Sequence, residues 1–205
     1  MIWLGMTRQI ALAFVLLVAG CAAVPDTGES VPFASFYTRD YTLVVPPNAP
    51  SISQQYRVYP DGKPETGENE HLGIDIHSPK GTAILAAFDG EVTATWVDPM
   101  YGRQITISHG PELRTQYKHL SAHNVAKGQK VKRGEKIGEL GKTGVLASNI
   151  LHLHFEVLRR QSRNHFLQED PHLYWVDGPG RITCFQPGVA YPKDRFLLTY
   201  PVVCG

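Results

Sequence analysis

Leu151-His152-Leu153-His154-Phe155-Glu156-Val157 alternates apolar and polar residues without a break. A period of two belongs to a strand that buries one of its faces. Leu151, Leu153, Phe155 and Val157 then share the core face, while His152, His154 and Glu156 share the other. Residues 83–87, 91–97, 104–108 and 113–119 read as further short strands. In the last of these Leu113, Thr115, Tyr117 and His119 fall on one face. Asp89-Gly90 reads as the hairpin turn between the first two. Residues 125–138, with glycines at turn positions and lysines facing outward, read as a solvated hairpin. Tyr41-Thr42-Leu43-Val44-Val45 reads as a strand available to pair with the main domain. Helical periodicity is almost absent, so the expected fold is all-β and antiparallel.

The histidines on the polar face carry chemistry when joined to His71 and Asp75 upstream. Neutral imidazoles and one carboxylate suit a borderline-soft cation such as zinc, and a fourth position left to water suits hydrolysis. Two histidines on one strand face stand roughly 7 Å apart along the strand. That separation suits one ligand and one neighbour acting beside it. Gly73 lies between His71 and Asp75 and reads as a turn entering a strand.

Several ordered motifs then resemble the lysostaphin/LytM-type zinc metallopeptidases, which cleave the peptide part of bacterial cell walls. They are His71-Leu72-Gly73-Ile74-Asp75, Gly81-Thr82, Asp89-Gly90-Glu91-Val92, Tyr101-Gly102, Ile107-Ser108-His109-Gly110, Tyr117-Lys118-His119-Leu120, Val131-Lys132-Arg133-Gly134, Gly141-Lys142-Thr143-Gly144 and His152-Leu153-His154-Phe155-Glu156. The resemblance implies a sandwich-like antiparallel β domain that binds one zinc ion through His71, Asp75 and His154. It also implies that His119 and His152 are unligated catalytic histidines, which orient water, relay its proton and stabilise the oxyanion. The implied substrate is a peptide cross-link of peptidoglycan, such as D-alanine to diaminopimelate in a Gram-negative host. The chain departs from the family pattern at residues 145–150 and at Arg103, positions that would reshape the substrate groove. The alternative is a metal-free regulatory module that activates another wall hydrolase, and a protein activator of this chain is a further possible partner. A lipoyl-like carrier is disfavoured because Lys142 lacks suitable apolar flanks.

Residues 1–20 read as a signal segment. Arg8 precedes a short apolar stretch, and Val18-Ala19-Gly20-Cys21 resembles a lipoprotein processing site with Cys21 as the lipid-bearing residue. Export with a lipid anchor is expected, on the periplasmic side of the outer membrane in a Gram-negative host. Residues 21–51, with five prolines, form the expected tether, residues 52–165 the peptidase domain and residues 166–205 an irregular C-terminal extension. Lys and Arg total 20 against 19 Asp and Glu, and loss of Arg8 with the leader leaves 19 against 19. That balance gives no electrostatic source for nucleic-acid binding. Cys184 and Cys204 are the remaining pair, and in an exported chain they are expected to form a disulfide. Tyr174, Trp175, Phe185, Tyr191, Phe196 and Tyr200 are expected to pack the extension onto the domain. His77, His109, His123, His165 and His172 read as surface or packing residues.

Overall fold

Alternating runs become strands wherever one face finds a core. The computed structural model describes residues 41–58, 70–163 and 165–205. Its strands are β1 (Ile52–Gln54), β2 (Ile74–His77), β3 (Ala83–Leu85), β4 (Gly90–Asp98), β5 (Gly102–Ser108), β6 (Leu113–Leu120), β7 (Ala122–His123), β8 (Lys130–Val131), β9 (Lys136–Glu139), β10 (His152–Ser162) and β11 (His165–Glu169). Among the described residues there is no α-helix, only 3-10 turns at Val145–Ala147 and Pro171–Tyr174. The larger sheet runs β1-β2-β10-β6-β5-β4-β8, with β11 also on β10, and the smaller runs β3-β9-β7. The ladders between these strands are antiparallel. The all-β expectation holds.

β10 is central because both its faces are occupied. It pairs with β2 through Leu153↔Ile76, His154↔Asp75 and Phe155↔Ile74, and with β6 through His154↔Lys118 and Phe155↔Tyr117. Leu153, Phe155, Ile74, Ile76 and Tyr117 are fully buried in one core with Ile84, Ile137 and Leu140 from the smaller sheet and its flank. Each such aliphatic or Phe side chain contributes roughly 1.5–3 kcal/mol on burial. The same register puts Asp75 beside His154 on the opposite face.

Several expected turns are replaced by crossings between the sheets. Asp89-Gly90 does not close a hairpin, because β3 pairs with β9 while β4 pairs with β5 and β8. The Ala86 and Ala87 amides donate to the Glu135 carbonyl (2.9 Å) and the Tyr117 hydroxyl (3.0 Å), away from β4. Gly90 is needed for close approach, since a Cβ there would lie 2.5 Å from the Ser108 carbonyl oxygen. Residues 125–138 likewise form no hairpin: β8 joins β4 and β9 joins β3 and β7, which buries Val131 and Ile137 in place of a solvated turn. Residues 41–45 contribute only an isolated bridge, Val44↔Arg181.

Beyond Glu169 the described chain is irregular but well packed. Trp175, Leu198, Tyr200 and Val202 are fully buried. Leu85 N–H donates to the Pro201 carbonyl and Thr199 N–H to that of Ala87, so this segment covers the free edge of β3. A disulfide joins Cys184 to Cys204.

Candidate metal centre

His71 precedes β2, Asp75 lies on β2 and His154 on the adjoining β10, and their polar ends meet at one point. His71 Nε2 lies 3.1 Å from Asp75 Oδ1 and 3.1 Å from His154 Nδ1, and His154 Nδ1 lies 2.8 Å from the same Oδ1. A tetrahedral ion with bonds of 2.0–2.1 Å spaces its ligand atoms by about 3.3 Å, so this donor set fits zinc. Gly73 makes the convergence possible. A Cβ at that position would lie 2.4 Å from the Phe155 carbonyl oxygen and 3.0 Å from His154 Nε2. The glycine therefore serves close packing of two strands, at a bend that leads directly into β2.

Each imidazole is oriented from behind. His71 Nδ1 donates to the Gln55 carbonyl at 2.8 Å, which leaves Nε2 as the available lone pair. His154 Nε2 donates to Glu156 Oε1 at 2.9 Å, which leaves Nδ1 for a metal. Glu156 is itself paired with Lys118 Nζ, and that cation lies 4.0 Å from the centroid of the Tyr101 ring. Burial opposes ionisation of Asp75, yet the adjoining imidazoles of His154 and His71 outweigh it and hold the carboxyl far below its usual range. Burial also opposes charge on Glu156, and its contacts with His154 and Lys118 prevail there too.

His119 and His152 flank these groups, with ring centroids 4.8 Å apart. His152 Nε2 lies 3.7 Å from Asp75 Oδ2. His119 Nδ1 donates to the Thr143 carbonyl at 2.8 Å and His152 Nδ1 to the Ile150 carbonyl at 3.1 Å. In the neutral ring each Nε2 is then a free base. Burial pushes His119 down to about 4 and lowers His152 as well, so both rings are neutral at pH 7.

The face expected for His119 is wrong, and the reason is local. Tyr117 points into the core, so strict alternation would send His119 there too. His119 instead takes a left-handed φ of 66°, at a bulge where Lys118 and His119 of β6 oppose Gln104 of β5. The extra residue reverses the side chain into the groove. Glu156, Lys118 and the carbonyls of Gln55 and Thr143 had no role in the sequence reading. Alternation did put Glu156 beside His154, but its partner Lys118 is distant in sequence, and carbonyl roles leave no residue signature. His77 is exposed, and its Nδ1 meets the Leu151 carbonyl at 2.8 Å. Cys21 lies outside the described residues.

The model of peptidase family M23 matches residues 69–166. The catalytic domain of lysostaphin from Staphylococcus simulans has 30% identity and a TM-score of 0.50, over 60% of this chain and 89% of that domain. The chain belongs to peptidase family M23. This M23 chain is also 34% identical to a zinc-containing peptidase from Vibrio cholerae, with a TM-score of 0.50 over 62% of the chain and 37% of that structure. Peptidoglycan DD-endopeptidase ShyA of Vibrio cholerae is 42% identical over 90 residues, 44% of this chain and 20% of that protein. The chain thus spans about a fifth of the length of such curated relatives. At residues 145–150 of this M23 chain a 3-10 turn is followed by left-handed Ser148 and Asn149, and Val145, Leu146 and Ile150 are exposed.

Proposed function

We propose that the chain is a zinc-dependent endopeptidase that cleaves peptide cross-links of peptidoglycan. The observation that carries this reading is the meeting of His71, Asp75 and His154 beside two neutral imidazoles. His71 Nε2, Asp75 Oδ1 and His154 Nδ1 would hold the ion. When bound, zinc acidifies a water molecule and polarises the scissile carbonyl.

The rest of the chemistry falls to the His119 and His152 pair. A free Nε2 takes a proton as the water O–H bond breaks and the oxygen joins the peptide carbon. The other ring, by hydrogen bonding, holds the substrate in line. As the tetrahedral carbon collapses and its C–N bond breaks, the protonated imidazole returns that proton to the leaving nitrogen. Glu156 keeps His154 in its ligating tautomer throughout, and the Thr143 and Ile150 carbonyls keep Nε2 of the two unligated flanking rings free of hydrogen before the proton transfer. The DD-endopeptidase relative supports a cross-link as substrate.

We further propose lipid anchoring through Cys21 and action on wall close to a membrane, supported by Val18-Ala19-Gly20-Cys21 alone. Substitution Cys21→Ser should move the exported protein from the detergent phase to the aqueous phase, and an unchanged partition would remove the anchor. For the peptidase itself, purified protein is incubated with cell-wall sacculi, with and without chelator. Uncross-linked stem peptides should appear only with zinc; their absence from the zinc-loaded reaction would end the peptidase reading.

A further inference from the structure

Residues outside the family match reach the metal centre through Gln55. Its backbone oxygen accepts the His71 Nδ1 hydrogen at 2.8 Å, and its side-chain Oε1 lies 2.7 Å from His172 Nε2. His172 Nδ1 in turn accepts the indole N–H of Trp175 at 2.9 Å. Because Nδ1 accepts, the proton of the neutral ring sits on Nε2 and is donated to Gln55. The indole and the imidazole are both fully buried. The His172 amide is held by Asp170 Oδ1 at 3.0 Å, and Asp170 also receives the Tyr41 hydroxyl. Gln55 is thereby gripped at its amide end by a rigid part of the C-terminal segment, while its other end faces a ring that has to point one way.

We propose that His172 and Trp175 are positioning residues for His71. By fixing Gln55 they fix the carbonyl that keeps the His71 proton on Nδ1, and so keep Nε2 unprotonated and aimed at Asp75 and His154. A carbonyl free to move would let His71 adopt the other tautomer, whose Nε2 carries hydrogen and cannot ligate. The C-terminal segment is then part of the metal site's framework as well as a cover for β3. This inference rests on the reading of His71 as a ligand.

The test uses the whole exported chain and two readouts besides activity. One is zinc affinity by competition with a chromophoric chelator; the other is the nitrogen chemical shifts of His71 in metal-free protein. His172→Phe should weaken zinc binding about tenfold or more and convert His71 from Nδ1–H to a tautomer mixture. His172→Gln, which restores a donor toward Gln55, should recover most of both. Trp175→Phe, a milder change, should move both in the same direction by less. Val202→Ala, buried in the same segment where it bridges Ile84 of β3, should lower the melting temperature and leave both readouts alone. An unchanged affinity and tautomer in His172→Phe and Trp175→Phe would overturn the positioning role, as would an equal affinity loss in Val202→Ala. Wild-type protein that binds no zinc would overturn the metal site itself, and the tautomer readout would still judge the positioning.

Discussion

At the residue scale, His119 and His152, which burial holds neutral, serve a different purpose from His71 and His154. The first pair keeps an unshared Nε2, while the second has its lone pairs turned toward Asp75. His154→Ala should therefore abolish both zinc retention and cleavage. His119→Ala should retain zinc, measured by metal analysis, while turnover falls by about 10² or more; equal zinc loss in the two variants would contradict this division. Glu156→Gln keeps an acceptor but removes the charge beside His154 Nε2, and should weaken zinc affinity by about 10- to 100-fold in a chelator titration. The ordered motifs drew attention to these five residues, and the fold brings their side chains together. The bulge that turns His119 was not legible, since a left-handed histidine has no glycine to announce it.

At the element scale, the crossing from β3 to β4 is held by a chain of buried polar groups. Ala87 N–H meets the Tyr117 hydroxyl, which lies 3.1 Å from Thr115 Oγ1; that oxygen lies 2.8 Å from His109 Nε2, and His109 Nδ1 donates to the Asp89 carbonyl at 2.8 Å. Burial pushes His109 from 6.5 down to about 4, and the Asp89 carbonyl only partly offsets it. Between those values the unfolded chain takes up a proton that the folded chain refuses, so stability falls as pH drops from 6.5 to about 4. Urea midpoints measured across that window should decline for the wild type and decline less for His109→Gln. Parallel slopes would show that another group controls the acid limb. Periodicity identified β4, β5, β6 and β10, but it carries no information on partners. Asp89-Gly90 looked like a local turn because the alternative, partners from Pro201 and Glu135, is remote in sequence.

At the scale of the whole molecule, the C-terminal segment closes the core and borders the site. Its aromatic content and its cysteine pair were readable as packing and a disulfide, and both are present. Its link to His71 was not readable, because His172 has no motif and Gln55 acts through a backbone atom. Removing the bridge with Cys184→Ser and Cys204→Ser should destabilise the fold by about 3 kcal/mol on the chain-entropy account of a loop this size, measured as a loss in the urea unfolding free energy. An unchanged value would mean that packing of Trp175 and Tyr200 alone secures the segment.

The most direct measurement is the cleavage rate of a defined cross-linked muropeptide dimer as zinc is returned to metal-free protein. The rate should climb in proportion to zinc, level off at one ion per chain, and stay at background for Asp75→Ala. A rate indifferent to zinc, or the same climb in Asp75→Ala, would contradict a hydrolytic centre built on His71, Asp75 and His154.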